Sequence, residues 1–450
     1  MRMLIILLLS ASGCLAEEFY RVGVIERAYP NDNFSKYIPS IYEAGKLDVD
    51  IVLLPSVEGL AESTYDETVK NLAKAARQAR VYIVAHLLEK TRCQNKNEDI
   101  RSNLVFDREG TVLAVYRKPI NTVRNCTTTS SAMTTFKTDF SVTFGLLMEE
   151  DLVLQNSEYL KNLKHFIVAG IWNSEIPFLS GDQFSSSWAY TNNVNLITHT
   201  GIYSNRAVMG RGLEKILVAD VRIDGEGQWN VPLNDASKLS FPGGDLSQYI
   251  TRPLNIEASL HGYKESVCNN KFCCEFDIKT SFTGKPTEVS YGLAVFEGMK
   301  HYGGSHYIGI QSCRVYACAG LYKRSCSAIF ENNTNLNFDK ITITANVTSD
   351  KSSHYPIIIS KRSINIDQFN FMQSGKLVTV TLKDVNILNF GILSRDFSND
   401  VESINIDGIT EGFTFYDYIF NDSVQEFFDY VWIRLRILIF VVSIYILEMM

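Results

Sequence analysis

The sequence predicts a layered α/β domain followed by a mainly β domain stapled by disulfides. From residue 20 to about residue 231, short apolar runs alternate with helical patterns, as expected of strands and helices packed in layers. Residues 255–420 are rich in β-branched and aromatic side chains and poor in amphipathic helices. Six of the nine cysteines crowd between positions 268 and 326.

The elements follow in order. Residues 20–26 (YRVGVIE) alternate valine with polar residues, and residues 49–54 (VDIVLL) form a largely apolar run of the buried-strand type. Residues 62–80 are helical, because Val69, Leu72, Ala76 and Ala79 recur on one face with Lys and Arg opposite. Residues 81–88 (VYIVAHLL) give another buried strand. Residues 104–106 and 112–116 flank Asp107-Arg108-Glu109-Gly110, which reads as a hairpin turn. Further buried strands are predicted at 144–148, 165–171 and 194–198, with helix-like stretches between them. Pro242-Gly243-Gly244 marks a junction between residues 233 and 255. There is no internal repeat and no low-complexity tract.

Composition narrows the function classes. A chain of 450 residues with 46% apolar and 21% charged side chains is globular and has room for two or three domains. With 43 basic against 50 acidic residues the net charge is −7, which argues against a general nucleic-acid binder. Only 27 Gly and 10 Pro exclude collagen-like or linker-dominated architectures.

The ends of the chain speak to compartment. Residues 1–16 (MRMLIILLLSASGCLA) join a basic start, an apolar run and small residues, which is the pattern of a secretory signal cut before Glu17. The stretch 11–14 also hints at a bacterial lipoprotein box, but its leading position is Ala11 rather than Leu. Residues 421–450 carry the apolar run 437–447, which is short of the about 20 residues a spanning helix needs. It fits a GPI-attachment signal, with Asn421-Asp422-Ser423 able to supply the attachment site, or a terminal amphipathic segment. Arg434 and Arg436 before it could meet anionic lipid. Sequons at Asn33, Asn125, Asn332, Asn346 and Asn421 mark expected glycosylation sites in a eukaryotic secretory pathway.

Once Cys14 leaves with the signal, Cys93, Cys126, Cys268, Cys273, Cys274, Cys313, Cys318 and Cys326 remain, an even count that suggests disulfides. Pairing Cys93 with Cys126 is the economical choice in the first half. The other six allow many connectivities, and spacing does not choose among them. No Cys-x-x-Cys pair and no His-Glu-x-x-His stands in the chain, and the seven histidines are scattered, so neither a metal nor a cofactor is expected. Trp172 and Trp188 could line a pocket or pack the core.

Six segments carry a family resemblance. Residues 50–59 (DIVLLPSVEG), 115–120 (VYRKPI), 144–151 (FGLLMEED), 170–174 (GIWNS), 187–195 (SWAYTNNVN) and 200–205 (TGIYSN) resemble, in order, conserved blocks of the carbon–nitrogen hydrolase (nitrilase) superfamily, in particular its vanin/biotinidase family. Residues 268–275 (CNNKFCCE) and 313–318 resemble cysteine-bearing blocks of the vanin carboxy-terminal domain. The resemblance covers roughly residues 18–330. It implies a nitrilase-type α-β-β-α sandwich at 17–235 and a vanin-type β domain at 255–420.

In that family a cysteine thiolate attacks an amide carbonyl, a glutamate is the general base and a lysine stabilises the oxyanion. Vanin-like members cut pantetheine to pantothenate and cysteamine, and biotinidases cut biotin amides. The resemblance puts the lysine at Lys118, but it puts Ser56 at the base position and Glu149 at the nucleophile position, with Asp151 retained after it. Glu58 stands two residues past Ser56, about 6.6 Å along a strand, so its use would need a bulge. No cysteine stands between Cys126 and Cys268, so no small shift restores a thiol. Ser56 with Lys118 is a residual dyad option.

The paired replacement has a physical rationale. Losing the glutamate alone would leave Lys118 without a counter-charge, at about 3–5 kcal/mol for a broken buried pair. Glu149 is therefore expected to pair with Lys118 within about 4 Å. Bland alternatives are an exposed lysine at a hairpin end and a solvated acidic loop at 149–151. The sequence thus points to a secreted or GPI-anchored pseudoenzyme that binds a small amide-bearing ligand or an extracellular protein partner. The competing classes are an amidohydrolase working through displaced residues and a purely structural surface glycoprotein.

Overall fold

The computed structural model describes residues 19–401 apart from 26–33, 57–61, 94–95, 120–132, 157–159, 161, 171, 173–175, 177–178, 200, 205–209, 212–215, 226–245, 287–289, 303–305, 319–334 and 361–363. The signal segment, the apolar tail, the Pro-Gly-Gly junction, Asn33, Asn125, Asn332, Asn421, Cys126 and Cys326 lie outside the described residues, as does the Cys93 side chain. Residues up to Val401 form one compact unit.

The first half contains strands β1 (Phe19–Ile25), β2 (Ile51–Leu53), β3 (Tyr82–Cys93), β4 (Lys96–Phe106), β5 (Val112–Pro119), β6 (Thr134–Lys137), β7 (Thr143–Leu147), β8 (His165–Val168), β9 (Asn195–Thr198), β10 (Gly201–Tyr203), β11 (Gly210–Arg211) and β12 (Ile216–Arg222). Its helices are α1 (Ile38–Lys46), α2 (Glu62–Ala79), α3 (Glu149–Leu154) and α4 (Gly181–Asn192). Seven strands make one sheet in the order β11-β12-β1-β2-β3-β4-β5, and five make a second in the order β10-β9-β8-β7-β6. The sheets stack face to face. Val22, Val24, Leu53, Val84 and Val105 of the first meet Phe144, Leu146, Ile167 and Ile197 of the second, all buried. On the outer face of the larger sheet, Ile41 and Ala44 of α1 and Leu72 and Ala76 of α2 cover Val52, Ile83 and Leu104. The predicted hairpin turn is present. The Asp107 carboxylate accepts from the N–H groups of Glu109 (3.0 Å) and Thr111 (2.7 Å), and Gly110 sits at φ +80°, where a Cβ would lie 2.2 Å from the Ala73 carbonyl.

The second half contains β13 (Ile250–Pro253), α5 (Ile256–His261), β14 (Tyr263–Asn269), β15 (Phe272–Phe282), β16 (Ser290–Tyr302), β17 (His306–Cys318), β18 (Leu336–Asn346), β19 (Ser352–Ser360), β20 (Phe369–Ser374), β21 (Leu377–Leu382) and β22 (Ile387–Val401). They form two five-stranded sheets, β13-β16-β17-β22-β19 and β14-β15-β18-β21-β20. Alternating residues such as Phe276, Ile278, Ile343 and Val380 pack against Leu293, Val315 and Phe390 between them. Two disulfides are fixed. Cys268–Cys273 bridges residues directly opposite on the β14–β15 hairpin, and Cys274–Cys313 ties the two sheets through the core. Cys318 is also disulfide-bonded.

Helix α4 joins the halves. Its start is a capping box: Ser180 Oγ accepts from Gln183 N (3.3 Å) and Gln183 Oε1 accepts from Ser180 N (2.9 Å). One side, through Phe184 and Trp188, packs on Phe166 and Leu196, and the same buried cluster continues into Phe296, Ile310, Tyr355 and Leu393 of the β half. The hydroxyls of Ser187 (2.7 Å) and Thr191 (3.3 Å) donate to the carbonyls of Pro356 and His354 on β19. The layers therefore run helix, sheet, sheet, helix, sheet, sheet. Among the described residues no helix is long and apolar enough to cross a membrane.

Candidate functional site

The sequence-predicted residues meet where β7, β8 and β9 end, opposite the β4–β5 hairpin. β7, β8 and β9 are parallel, so their carboxyl ends open on the same side, the usual place for a site in an α/β sheet. The smaller sheet is fastened there to the larger one by Asn103 of β4. Its Nδ2 donates to the carbonyls of Leu147 (2.8 Å) and Ala169 (3.2 Å), and its Oδ1 lies 2.6 Å from His86 Nδ1. Burial pushes His86 down to about 4, which keeps the ring neutral.

After β7 the chain turns directly into α3, so residues 149–151 are a helical first turn rather than a solvated loop. Asp151 caps the helix by accepting from Met148 N (2.8 Å). It also accepts from Tyr116 Oη (3.0 Å), Gln155 Nε2 (2.9 Å) and Lys118 Nζ. Glu150 takes a bidentate grip from Arg101 (2.7 and 3.0 Å) and lies 3.3 Å from Lys118 Nζ. Burial alone would raise the Glu150 carboxyl, but Lys118 and Arg101 outweigh it and hold it below the usual range. Arg101 and Lys118 stand directly opposite each other on β4 and β5, a like-charge pair that the two carboxylates neutralise.

This corrects the expected partner of Lys118. The lysine is half-buried in a carboxylate cluster, but it pairs with Glu150 and Asp151 and not with Glu149. Glu149 turns away by about 100° per helical residue. It is 3% exposed, and its Oε1 lies 2.5 Å from Nδ1 of His199, the residue just past β9. Burial raises its pKa despite the pull of His199, and Asp182 in the first turn of α4 raises it further. Ser56, buried at the end of β2, donates to the Gly170 carbonyl (2.8 Å), and Gly170 in turn abuts Glu149. Among the described residues no contact joins Ser56 to Lys118, so the dyad is not assembled. Glu58 lies outside the described residues.

Sequence reasoning missed Arg101, Tyr116, Asp182 and His199. His199 had a signal, its place at the end of a parallel strand. Arg101 had one only through the β4–β5 register. Trp188 packs in the core against Phe166, and Trp172 stacks near Phe184. Among the described residues there is no group of three His, Cys, Asp or Glu able to hold a metal ion.

The site is also tied to the second half. Arg395 of β22, fully buried, donates through Nε to the Val153 carbonyl on α3 (2.8 Å) and forms two bonds to Asp400 (2.9 and 2.7 Å).

Two stacked sheets between helix layers, with a lysine on an inner hairpin facing carboxylates at a parallel strand end, define a carbon–nitrogen hydrolase fold joined to a β domain. Comparison with known proteins agrees with the ordered motifs. Residues 242–400 match the Vanin C-terminal domain family. The chain is 29% identical over 385 residues to Vanin-like protein 2 of Drosophila melanogaster, covering 67% of this chain and 72% of that one. It is 21% identical over 385 residues to the Pantetheinase of Homo sapiens, covering 76% and 72%. Among solved structures it is similar to Saccharomyces cerevisiae Nit3, a member of branch 10 of the nitrilase superfamily, at 16% identity and a TM-score of 0.35, covering 46% of this chain and 91% of that one. The chain belongs to the vanin family.

Proposed function

We propose that this chain is a vanin-like glycoprotein, secreted or GPI-anchored, that keeps the carbon–nitrogen hydrolase fold without its amidase activity. It holds a small amide-bearing ligand or an extracellular protein partner and does not cleave it. Glu149 carries this reading. A buried carboxylate occupies the start of α3, where the family resemblance assigns the attacking thiol, and a carboxylate attacking an amide would have to form a mixed anhydride while expelling a poor leaving group. Ser56, assigned the base position, spends its proton on the Gly170 carbonyl. Lys118 is already committed to two carboxylates. Disulfides within the β domain and an exposed sequon at Asn346 support passage through an oxidising secretory compartment.

The test is a fluorogenic pantothenamide assay on the purified full chain, chosen because relatives are named pantetheinases. No hydrolysis above a Lys118→Ala control is expected. Hydrolysis above that control would favour an amidohydrolase working through displaced residues. As a companion, Glu149→Cys combined with Ser56→Glu should recover measurable cleavage.

A further inference from the structure

The charges gathered at this site do not balance. Glu149, Glu150 and Asp151 face Arg101 and Lys118, and the two cations are both committed to Glu150 and Asp151. The remaining negative charge falls on Glu149. Its Oε1 is met by His199, and its Oε2, although buried, has no hydrogen-bond partner among the described residues. Asp182 adds a second carboxylate whose field acts on Glu149. A buried acceptor of this kind calls for a donor, and a charged one for a cation. A neutral imidazole gives Glu149 one N–H and no charge.

The missing group can be characterised. A metal ion would need more ligands than the described residues bring together. A guanidinium presents a planar fork suited to a carboxylate with both oxygens open, whereas here one oxygen is already taken. A primary ammonium is compact, carries one charge and offers three donors, enough for Oε2 and a neighbouring acceptor. The His199 side chain, 30% exposed, opens this side of Glu149 toward solvent.

We propose that Glu149, with His199 and Asp182 around it, forms a subsite for a small primary ammonium group. The inference rests on the non-hydrolytic reading of the site, in which Glu149 does no covalent chemistry. It refines that reading, because a ligand would place an amine, rather than an acyl carbon, beside α3.

The experiment titrates the full chain with ethylammonium chloride at constant ionic strength, against sodium chloride and acetamide. Thermal melting and the ring resonances of His199 are followed. Saturable stabilisation by ethylammonium, with a His199 shift that saturates in parallel and no such response to acetamide, is the expected result. Glu149→Gln should weaken the apparent affinity at least tenfold, while Asp350→Asn, remote and exposed, should leave it unchanged. No saturable response in the unaltered chain, an equal response to acetamide, or unchanged affinity in Glu149→Gln would overturn the subsite. Should Glu149→Gln fail to fold, the His199 shift in the unaltered chain decides the matter. Pantothenamide cleavage is read separately by fluorescence. Cleavage sinks the non-hydrolytic reading, whereas absent cleavage with absent ethylammonium binding sinks the subsite alone.

Discussion

Replacing Lys118 by Met tests the electrostatics of the site without emptying it, because Met keeps the length and most of the apolar stem. The lysine side chain is 20% exposed, Glu150 is 10% exposed and Asp151 is fully buried. Removing one partner from a pair of this depth costs about 3–5 kcal/mol, whereas an exposed pair is worth about 0–1 kcal/mol. The lower part of the first range applies, because the two carboxylates are not abandoned. Asp151 keeps donors from Tyr116, Met148 N and Gln155, and Glu150 keeps both bonds from Arg101. The expected loss is about 3 kcal/mol in urea unfolding of the full chain. Adding Asp151→Asn to Lys118→Met should recover part of it, with a coupling of about 1–3 kcal/mol in the double-mutant cycle. A loss below about 1 kcal/mol, or no coupling, would show that Lys118 behaves as a surface lysine and would refute the cluster as its anchor.

Two further outcomes follow from the same coordinates. Because burial raises the Glu149 pKa, the native state holds that proton more tightly than the unfolded chain. The group's contribution to stability is therefore present at low pH and is lost as pH rises through the raised pKa. Glu149→Gln should flatten this slope, by at most about 1.4 kcal/mol per pH unit, in urea titrations between about pH 5 and about pH 8; parallel profiles for the two proteins would contradict it. Under mild reduction without denaturant, Cys268–Cys273 should open before Cys274–Cys313, read by alkylation and mass, because Cys268 is exposed and the second bridge is wholly buried. Replacing each pair by Ser should cost about 2 kcal/mol for the short loop, of sequence separation 5, and about 4 kcal/mol for the long one, of separation 39.

Much of the fold is legible in the sequence. Apolar runs such as 49–54 and 81–88 are central strands buried on both faces, so their signal is strong. Helix α2 shows its stripe because only one of its faces meets the sheet. Helix α4 hides for the opposite reason. It is covered on both sides, so its serines stand at buried positions and no polar face appears. At the site, the sequence indicates that carboxylates gather near Lys118, but not which of them touches it. Three consecutive acids are interchangeable in a string, and only the phase of α3, set by the Asp151 cap, turns Glu150 and Asp151 toward the lysine and Glu149 toward His199. The cysteine pairing was open because spacing carries no connectivity, and it is the β14–β15 register that sets Cys268 against Cys273.

The double-sided burial of α4 makes the two halves mutually dependent. Expressed without the β half, the hydrolase-type half would bare the cluster around Phe184 and Trp188 and invite self-association. Expressed without its foundation, the β half would lose the serine and threonine donors that its β19 carbonyls accept. Selection for a working surface on either half therefore preserves the architecture of both, whatever chemistry the site performs.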